Sequence, residues 1–175
     1  MQNEENLLRS AQQGDAQAFS TLYELYADRV HRYFAARVTA QEAEDLTADT
    51  FLKALEGLGR FRWQGAPFGA WLFRIAHNAL IDHWRGAKRR TVEWLDDIGE
   101  EAHPTQADHA RRAATADELR RCLDQLTDLQ QEAVSLRFIA DLPIHEVASV
   151  MQRKAGAIKD LQHKALVALR KCLDP

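Results

Sequence analysis

Apolar residues recur at steps of three and four along most of the chain, and no runs of β-branched residues typical of strands occur. This spacing is typical of amphipathic helices. The first such stretch carries Phe19, Leu22, Tyr23, Leu25, Tyr26, Val30, Tyr33 and Phe34. Asp15 follows Gly14 and is placed to cap the first turn of this helix. The pattern predicts an all-α fold.

Two further helices follow in the first half of the chain. The second is predicted over about 40–57, with its inward side chains at Leu46, Phe51, Leu52 and Leu55. Residues 57–69, GLGRFRWQGAPFG, contain four glycines and a proline and are predicted to form a loop. A third helix is predicted over about 68–90. Its apolar side holds Leu72, Ile75, Ala76, Ala79, Leu80 and Trp84.

The pattern changes at residues 93–117, which are acidic, rich in small residues and without a sustained apolar period. Such a composition favours a flexible linker, with a helix toward its end. Beyond it, residues 124–139 are predicted to form one helix, with apolar positions at Leu126, Leu129, Val134 and Leu136. Pro143 suits the first turn of the next helix, and a final helix is predicted over about 155–172. We therefore expect two small helical domains joined by a flexible linker.

The last two predicted helices have the spacing of a helix-turn-helix. Val147, Ala148 and Met151 share one face of a short helix, and the small Ala148 permits a close crossing. The inner face of the second helix holds Ile158, Leu161 and Ala165. Gln152 occupies the turn position where glycine is usual, and Lys154 stands where Ser or Thr would cap the second helix. An ordinary helical hairpin with a basic outer face is the alternative.

The net charge of −3 hides a strongly segmented distribution. Residues 60–92 carry +6 and residues 151–175 carry +4, whereas the intervening 93–118 carry −6. Two basic segments separated by an acidic one indicate two surfaces that meet polyanions. Charge alone would equally allow two solvated helix ends.

The basic segment at 60–92 has side chains suited to nucleic acid. Asn78, Asp82 and Arg85 lie on the polar side of the predicted helix and can hydrogen-bond base edges. The preceding loop interleaves aromatic residues with arginine, a composition that suits unstacked single-stranded bases. Each aromatic residue could instead pack in the core. Core packing is the expectation for Trp71, whereas Trp63 fits either role.

Other classes of protein are disfavoured. No run approaches the roughly 18–20 apolar residues of a membrane span, and the acidic, polar start MQNEENLLRS differs from a secretory signal. We therefore expect no membrane insertion and a cytoplasmic location. Cys122 and Cys172 lie 50 residues apart without a CxxC motif, so we expect reduced thiols.

Catalysis is disfavoured as well. His77, Asp82 and His83 have offsets that do not place all three on one helix face. The sequence contains no HExxH, nucleophile elbow or phosphate-binding glycine loop. We therefore expect a protein that is not an enzyme and needs no metal and no cofactor.

Four stretches, in order, resemble the extracytoplasmic-function (ECF) sigma factors of the sigma-70 superfamily. DAQAFSTLY (15–23) is similar to the first helix of that family, and AEDLTADTFLKA (43–54) resembles its segment that docks on RNA polymerase. FGAWLFRIAHNALIDHWR (68–85) resembles its promoter-melting segment. LTDLQQEA (126–133), with LRF (136–138) and the helix-turn-helix, is similar to its C-terminal domain. The resemblance covers nearly the whole chain apart from the linker.

This resemblance implies a protein that binds core RNA polymerase and directs it to promoter DNA. It implies region 2 at 1–92, the acidic linker at 93–117 and region 4 at 118–175. The polymerase-docking residues would be Asp45, Asp49 and Phe51, although Phe51 could equally be core, and Ala48 stands where the family often has Gln. The residues at the minus-ten element would be Arg60, Trp63, Asn78, Asp82, His83, Arg85, Lys88 and Arg89. Those at the minus-thirty-five element would be Arg153, Lys154, Lys159, His163 and Lys164.

The resemblance also implies an inhibitory partner, because members of the family are commonly held inactive by an anti-sigma factor. The sequence has no long C-terminal extension that could replace one, so we expect a separate anti-sigma factor. A stand-alone helix-turn-helix regulator, whose N-terminal half senses a ligand or dimerises, is the alternative. The docking segment and the aromatic, basic segment argue against it.

Overall fold

The computed structural model describes residues 2–62, 67–93, 118–119 and 121–173, and the regular structure in these residues is entirely helical. The predicted all-α fold is confirmed. The predicted linker lies, after Glu93, outside the described residues. The helices are α1 (Gln2–Gln12), α2 (Ala16–Ala35), α3 (Ala40–Leu58), α4 (Phe68–Glu93), α5 (118–119 and 121–124), α6 (Asp128–Val134), α7 (Ile144–Val150) and α8 (Ala155–Leu173), with a π-helical segment at Ser135–Ile139.

The ends of the N-terminal helices follow from local chemistry. Gly14 has a φ of +93°, a conformation that costs glycine little, and it reverses the chain between α1 and α2. Asp15 caps α2 as expected, accepting hydrogen bonds from the backbone of Gln17 at 2.9 Å and Ala18 at 3.2 Å. Thr39 begins α3 through a capping box with Glu42.

Helix α1 was not predicted, yet it supplies part of the core. Leu8 is buried, and the Gln12 side chain donates to the carbonyl oxygens of Leu58 at 3.0 Å and Phe61 at 2.8 Å. These two bonds fix the chain where it leaves α3. The helix is mostly polar, and its apolar residues are only Leu7, Leu8 and Ala11, which explains why the sequence pattern did not reveal it.

The inward face of α3 differs from the prediction. Leu52 and Leu55 were expected inside but are 56% and 50% exposed. Small residues hold several inner positions instead, and these residues follow the helical repeat. The buried residues of α3 are Ala43, Leu46, Thr47, Thr50, Phe51, Ala54 and Leu58.

The single helix predicted over 124–139 is wrong, because the chain breaks at residues 125–127. Thr127 accepts a hydrogen bond from the Gln130 backbone, and the Gln130 side chain accepts one from the Thr127 backbone. This capping box starts α6 anew. Leu129, one of the apolar positions of the predicted helix, is 41% exposed.

The expectation of two reduced thiols is also wrong. Cys122 in α5 and Cys172 in α8 form a disulfide, with their Cα atoms 5.8 Å apart. The two helices come together over a small core that contains Leu123, Leu126 and Leu169. Because this contact is tertiary, a sequence separation of 50 residues gave no sign of it.

The two halves of the molecule share one core. Leu136, Leu142 and Val147 from the C-terminal half are buried in the same cluster as Phe34 and Phe73 from the N-terminal half. Helix α7 packs against α4, and the π-helical segment packs against α2. The structure therefore holds the two halves in a closed arrangement.

Candidate nucleic-acid interface

The outer face of α3 presents a mixed acidic and apolar stripe. Asp45, Ala48, Asp49 and Leu52 lie at helical spacing and are all exposed. Such a face can offer both carboxylates and apolar contact to a partner. Sequence reasoning missed Leu52 as part of it, because a leucine at that spacing also fits a core position.

Phe51 does not belong to this outer stripe. Its side chain is 5% exposed, and its ring contacts the Tyr23 ring at a tilt of 59°, with centroids 4.6 Å apart. The structure thus places Phe51 in the core, the alternative that the sequence left open. Its position can support the stripe only from beneath.

Helix α4 carries the exposed polar stripe expected from its sequence. Arg74, Asn78, Asp82 and Arg85 are exposed on one side, whereas the opposite side is buried in the core through Leu72, Phe73, Ala76, Ala79 and Leu80. Asp82 and Arg85 form an ion pair with 3.6 Å between the guanidinium and the carboxylate. Both side chains are 69% exposed, so water weakens that pair and leaves them available to a ligand.

His83 lies beside this stripe but faces another partner. Its Nε2 is 3.3 Å from Oε1 of Glu42, and its side chain is 18% exposed. The backbone and hydroxyl of Thr39 hold the pKa of Glu42 below its usual range, and the nearby His83 adds to this. His83 therefore links α4 to the beginning of α3 in this arrangement.

The loop before α4 is anchored by aromatic packing. Phe61 is buried and contacts Phe68 and Trp71, with ring centroids 6.0 Å and 5.0 Å away. Trp71 is partly buried against the core, as expected. Arg60 is exposed at the start of the loop. Trp63 and the side chains of Lys88 and Arg89 lie outside the described residues.

The predicted helix-turn-helix is confirmed. Val147 and Ile158 are fully buried between α7 and α8. Gln152 forms the turn with a φ of +54°, and the Arg153 backbone N–H donates to the carbonyl of Ala148 at 2.9 Å. The basic residues proposed for DNA contact are exposed along or just before α8: Arg153, Lys154, Lys159, His163 and Lys164.

A polar cluster that sequence reasoning missed lies between the two halves. Glu132 of α6 is 4% exposed. Its Oε1 accepts a hydrogen bond from the Tyr33 hydroxyl at 2.8 Å and lies 2.8 Å from Nδ1 of His77, while its Oε2 pairs with Arg37. No local motif could have indicated this cluster, because its members come from α2, α4 and α6 and from the turn after α2.

The environment of Glu132 favours its charged form. Burial raises the pKa of this carboxyl, but the hydrogen bond with His77 and the charge of Arg37 outweigh burial and lower it below its usual range. The same burial, reinforced by the Glu132 charge, raises the pKa of the Tyr33 hydroxyl. The cluster is therefore a carboxylate held by three donors.

A cavity of about 370 Å³ opens next to this cluster. Arg85 from α4 and Arg153 from the helix-turn-helix both line it, as do Trp84 and Met151. The structure thus brings together one residue from each of the two predicted DNA surfaces.

Comparisons with known proteins agree with this geometry. Residues 22–90 match the family profile of Sigma-70 region 2, and residues 122–171 match that of Sigma-70, region 4. The chain is 42% identical to the ECF RNA polymerase sigma factor BldN of Streptomyces coelicolor, over 95% of the chain and 64% of that protein. It thus spans less than two thirds of BldN. It is 31% identical to the RNA polymerase sigma-H factor of Pseudomonas aeruginosa, over 99% of the chain and 95% of that protein.

Solved structures show the same fold. A chain in the structure of CnrH in complex with the cytosolic domain of CnrY aligns with a TM-score of 0.73 at 22% identity, covering 98% of this chain and 97% of that one. A chain in the co-crystal structure of the sigma factor RpoE with the anti-sigma factor NepR from Bartonella quintana aligns with a TM-score of 0.71 at 21% identity, covering 90% and 98%.

Regions 2 and 4, in this order on an all-α chain, define a sigma-70 protein. The chain belongs to the ECF group of the sigma-70 family. Within the part of the chain that the structure describes, none of the helices combines the length and apolar character needed to cross a bilayer.

Proposed function

We propose that this protein is an alternative sigma factor that binds core RNA polymerase and directs promoter-specific initiation of transcription. The observation that carries the proposal is the pairing of regions 2 and 4 with an exposed polar stripe on α4 and an exposed basic face on α8. Each face alone would bind DNA weakly and in a salt-dependent way. Holding both on one polymerase makes the second contact effectively intramolecular.

The division of labour follows the matched regions. Residues 1–92 act as region 2, which docks on the polymerase and reads and opens the minus-ten element. Residues 93–117 are the connecting linker. Residues 118–175 act as region 4, which reads the minus-thirty-five element. The protein works without catalysis of its own, in the cytoplasm.

The docking contact is assigned to the outer face of α3. Asp45 and Asp49 supply the charges, and the exposed Leu52 supplies apolar area. Phe51 supports this face from beneath through its ring contact with Tyr23. A mixed face of this kind suits a specific protein partner, because apolar area gives affinity and charge gives orientation.

The minus-ten contact is assigned to α4 and the loop before it. Asn78 and Asp82 are exposed and can read base edges, whereas Arg60 and Arg85 neutralise phosphates. Trp63, Lys88 and Arg89 complete the assignment from the sequence. His83 joins them only if it leaves Glu42, to which it is paired in the closed arrangement.

The minus-thirty-five contact is assigned to the helix-turn-helix. Lys159 and His163 lie one turn apart on the exposed face of α8, where they can enter a major groove. Arg153, Lys154 and Lys164 flank them and can contact phosphates. A separate anti-sigma factor is proposed as a regulatory partner, in line with the solved RpoE complex, which contains the anti-sigma factor NepR.

Run-off transcription with core polymerase over a promoter library tests the proposal. We expect initiation at a defined set of promoters only when the protein is present. Changing Arg85 to Ala should weaken all of these promoters and flatten the salt dependence, whereas changing Asn78 to Ala should alter sequence preference. Arg32, an exposed arginine on α2, provides a matched control when changed to Ala. DNA binding without any need for core polymerase would favour the stand-alone regulator instead.

A further inference from the structure

One stripe of side chains joins region 2 to region 4. Arg29, Tyr33 and Arg37 follow one another at four-residue intervals, so they extend along a single side of α2 and the turn after it. Arg29 donates to the carbonyl oxygen of Ala140 at 2.9 and 2.7 Å and to that of Asp141 at 3.1 Å. Arg29 and Arg37 of region 2 therefore hold region 4 at two points. Arg37 does so by pairing with Glu132.

The second point is specific because its groups are buried. The side chains of Arg37 and Glu132 are 1% and 5% exposed, and the Arg37 guanidinium also stacks on the Trp84 ring at 4.6 Å. His77, from α4, contacts the other carboxylate oxygen of Glu132, Oε1. A buried ion pair adds little net free energy, because separation returns both charges to water. It does, however, specify how the two halves dock, and it can be opened.

The docked arrangement is incompatible with binding both promoter elements. Arg85 and Arg153 line the same cavity of about 370 Å³, so the two DNA surfaces meet there. The minus-ten and minus-thirty-five elements lie about 25 base pairs apart, or roughly 85 Å at about 3.4 Å per base pair. The two regions must therefore separate before both elements can be contacted.

We propose that Glu132, held by Tyr33, Arg37 and His77, is an interdomain latch that keeps the protein in a closed state unable to engage a whole promoter. This inference rests on the proposed function and adds a built-in restraint to it. Polymerase and whole promoters bind the open state. The apparent affinity is therefore the affinity of the open state multiplied by the fraction of molecules that are open. Weakening the latch should raise that fraction.

Small-angle X-ray scattering of the full-length protein tests the latch without polymerase. The wild type should have a radius of gyration near the value of about 16 Å expected for a compact chain of this length. Changing Glu132 to Gln or Arg37 to Met should increase it by several ångströms. Arg37 lies outside region 4, so its variant separates a latch effect from unfolding of region 4, and circular dichroism checks helix content. Changing Arg32 to Met, at an exposed position near the end of α2, is the matched control and should change nothing.

Transcription provides the second measurement. The two latch variants should reach half-maximal run-off at a protein concentration roughly tenfold lower than wild type. An extended wild type, or latch variants as compact as wild type, would overturn the latch. Open variants with an unchanged half-maximal concentration would overturn its inhibitory role. If even wild type initiates nowhere, the proposed function fails while scattering still decides whether the latch exists.

Discussion

At the scale of single residues, Gln152 adopts an unfavourable backbone conformation to form the sharp turn of the helix-turn-helix. Its φ of +54° lies in the left-handed region, which costs a residue with a Cβ about 1 kcal/mol or more. Changing Gln152 to Gly should therefore raise the free energy of unfolding by about 1 kcal/mol. Urea denaturation measures the change.

The matched control for this change is Gln13 to Gly. Gln13 is also an exposed glutamine in a turn, but its φ does not lie in the left-handed region. There the added freedom of the unfolded chain should lower stability instead. Equal effects of the two changes would show that backbone strain at Gln152 is not the cause.

Glu132 makes the stability of the fold depend on pH in the acidic range. Because its pKa in the folded protein lies below the ordinary value of 4.5, its charged form stabilises the fold above that pH. This contribution is lost as the pH falls below 4.5 and through the folded pKa. Changing Glu132 to Gln should lower the free energy of unfolding by about 3 kcal/mol at pH 7.

The free-energy difference between wild type and this variant should shrink as the pH is lowered from 5 toward about 3. Denaturation curves at several pH values measure it. Changing the exposed Glu24 to Gln serves as the comparison and should show no such convergence. A difference that stays constant with pH would mean that the Glu132 charge does not stabilise the folded state.

At the scale of helices, the apolar period predicted most elements well. The bounds expected for α3, α4 and α8 agree with the structure within about three residues, because each has a clear inner face. Period alone could not separate a core leucine from an exposed one, as Leu52 shows. It also could not reveal a break made by side-chain capping, as at Thr127. Both outcomes depend on contacts that a repeat does not encode.

The disulfide ties the two ends of region 4 together. Linking α5 to α8 closes a loop of about 50 residues, which limits the unfolded chain and stabilises the fold by about 2–4 kcal/mol. A reducing agent should therefore lower the thermal midpoint of the wild type by several degrees. Calorimetry with and without reductant measures this.

The control is a variant with both Cys122 and Cys172 changed to Ser. Its midpoint should match that of the reduced wild type and should not respond to reductant. Mass spectrometry of alkylated protein reports directly whether the bond is present. If reductant leaves the wild-type midpoint unchanged while alkylation shows that the thiols have become free, the bond does not stabilise region 4.

At the scale of the whole molecule, residue types along the sequence predicted two candidate DNA surfaces but not how the two halves meet. The exposure of Asn78, Asp82 and Arg85 could be predicted because a polar stripe on an amphipathic helix is a local pattern. Arg37 and Glu132 are 95 residues apart, and nothing local distinguishes them from other surface charges. Their pairing depends on tertiary packing, which only the structure supplies.

The closed arrangement makes promoter geometry a sharp test of how the two regions cooperate. Once open, regions 2 and 4 on one polymerase should accept only elements at a fixed separation and on a fixed side of the helix. Inserting about five base pairs rotates one element by half a turn relative to the other. The second contact then loses its effective concentration, so run-off should fall by about 10- to 100-fold. Inserting about ten base pairs returns both elements to the same face of the DNA helix but leaves them too far apart, so it should recover little run-off activity.

The length series is measured on a promoter selected from the library, with the minus-ten element unchanged throughout. A control protein with Lys159 and His163 both changed to Ala should initiate weakly at every spacing, because region 4 would no longer contribute. Latch variants should keep the same optimal spacing as wild type, since the latch sets the fraction of open molecules rather than the geometry on DNA. A shift of the optimum in these variants would mean that Glu132 and Arg37 position the two regions on the promoter itself.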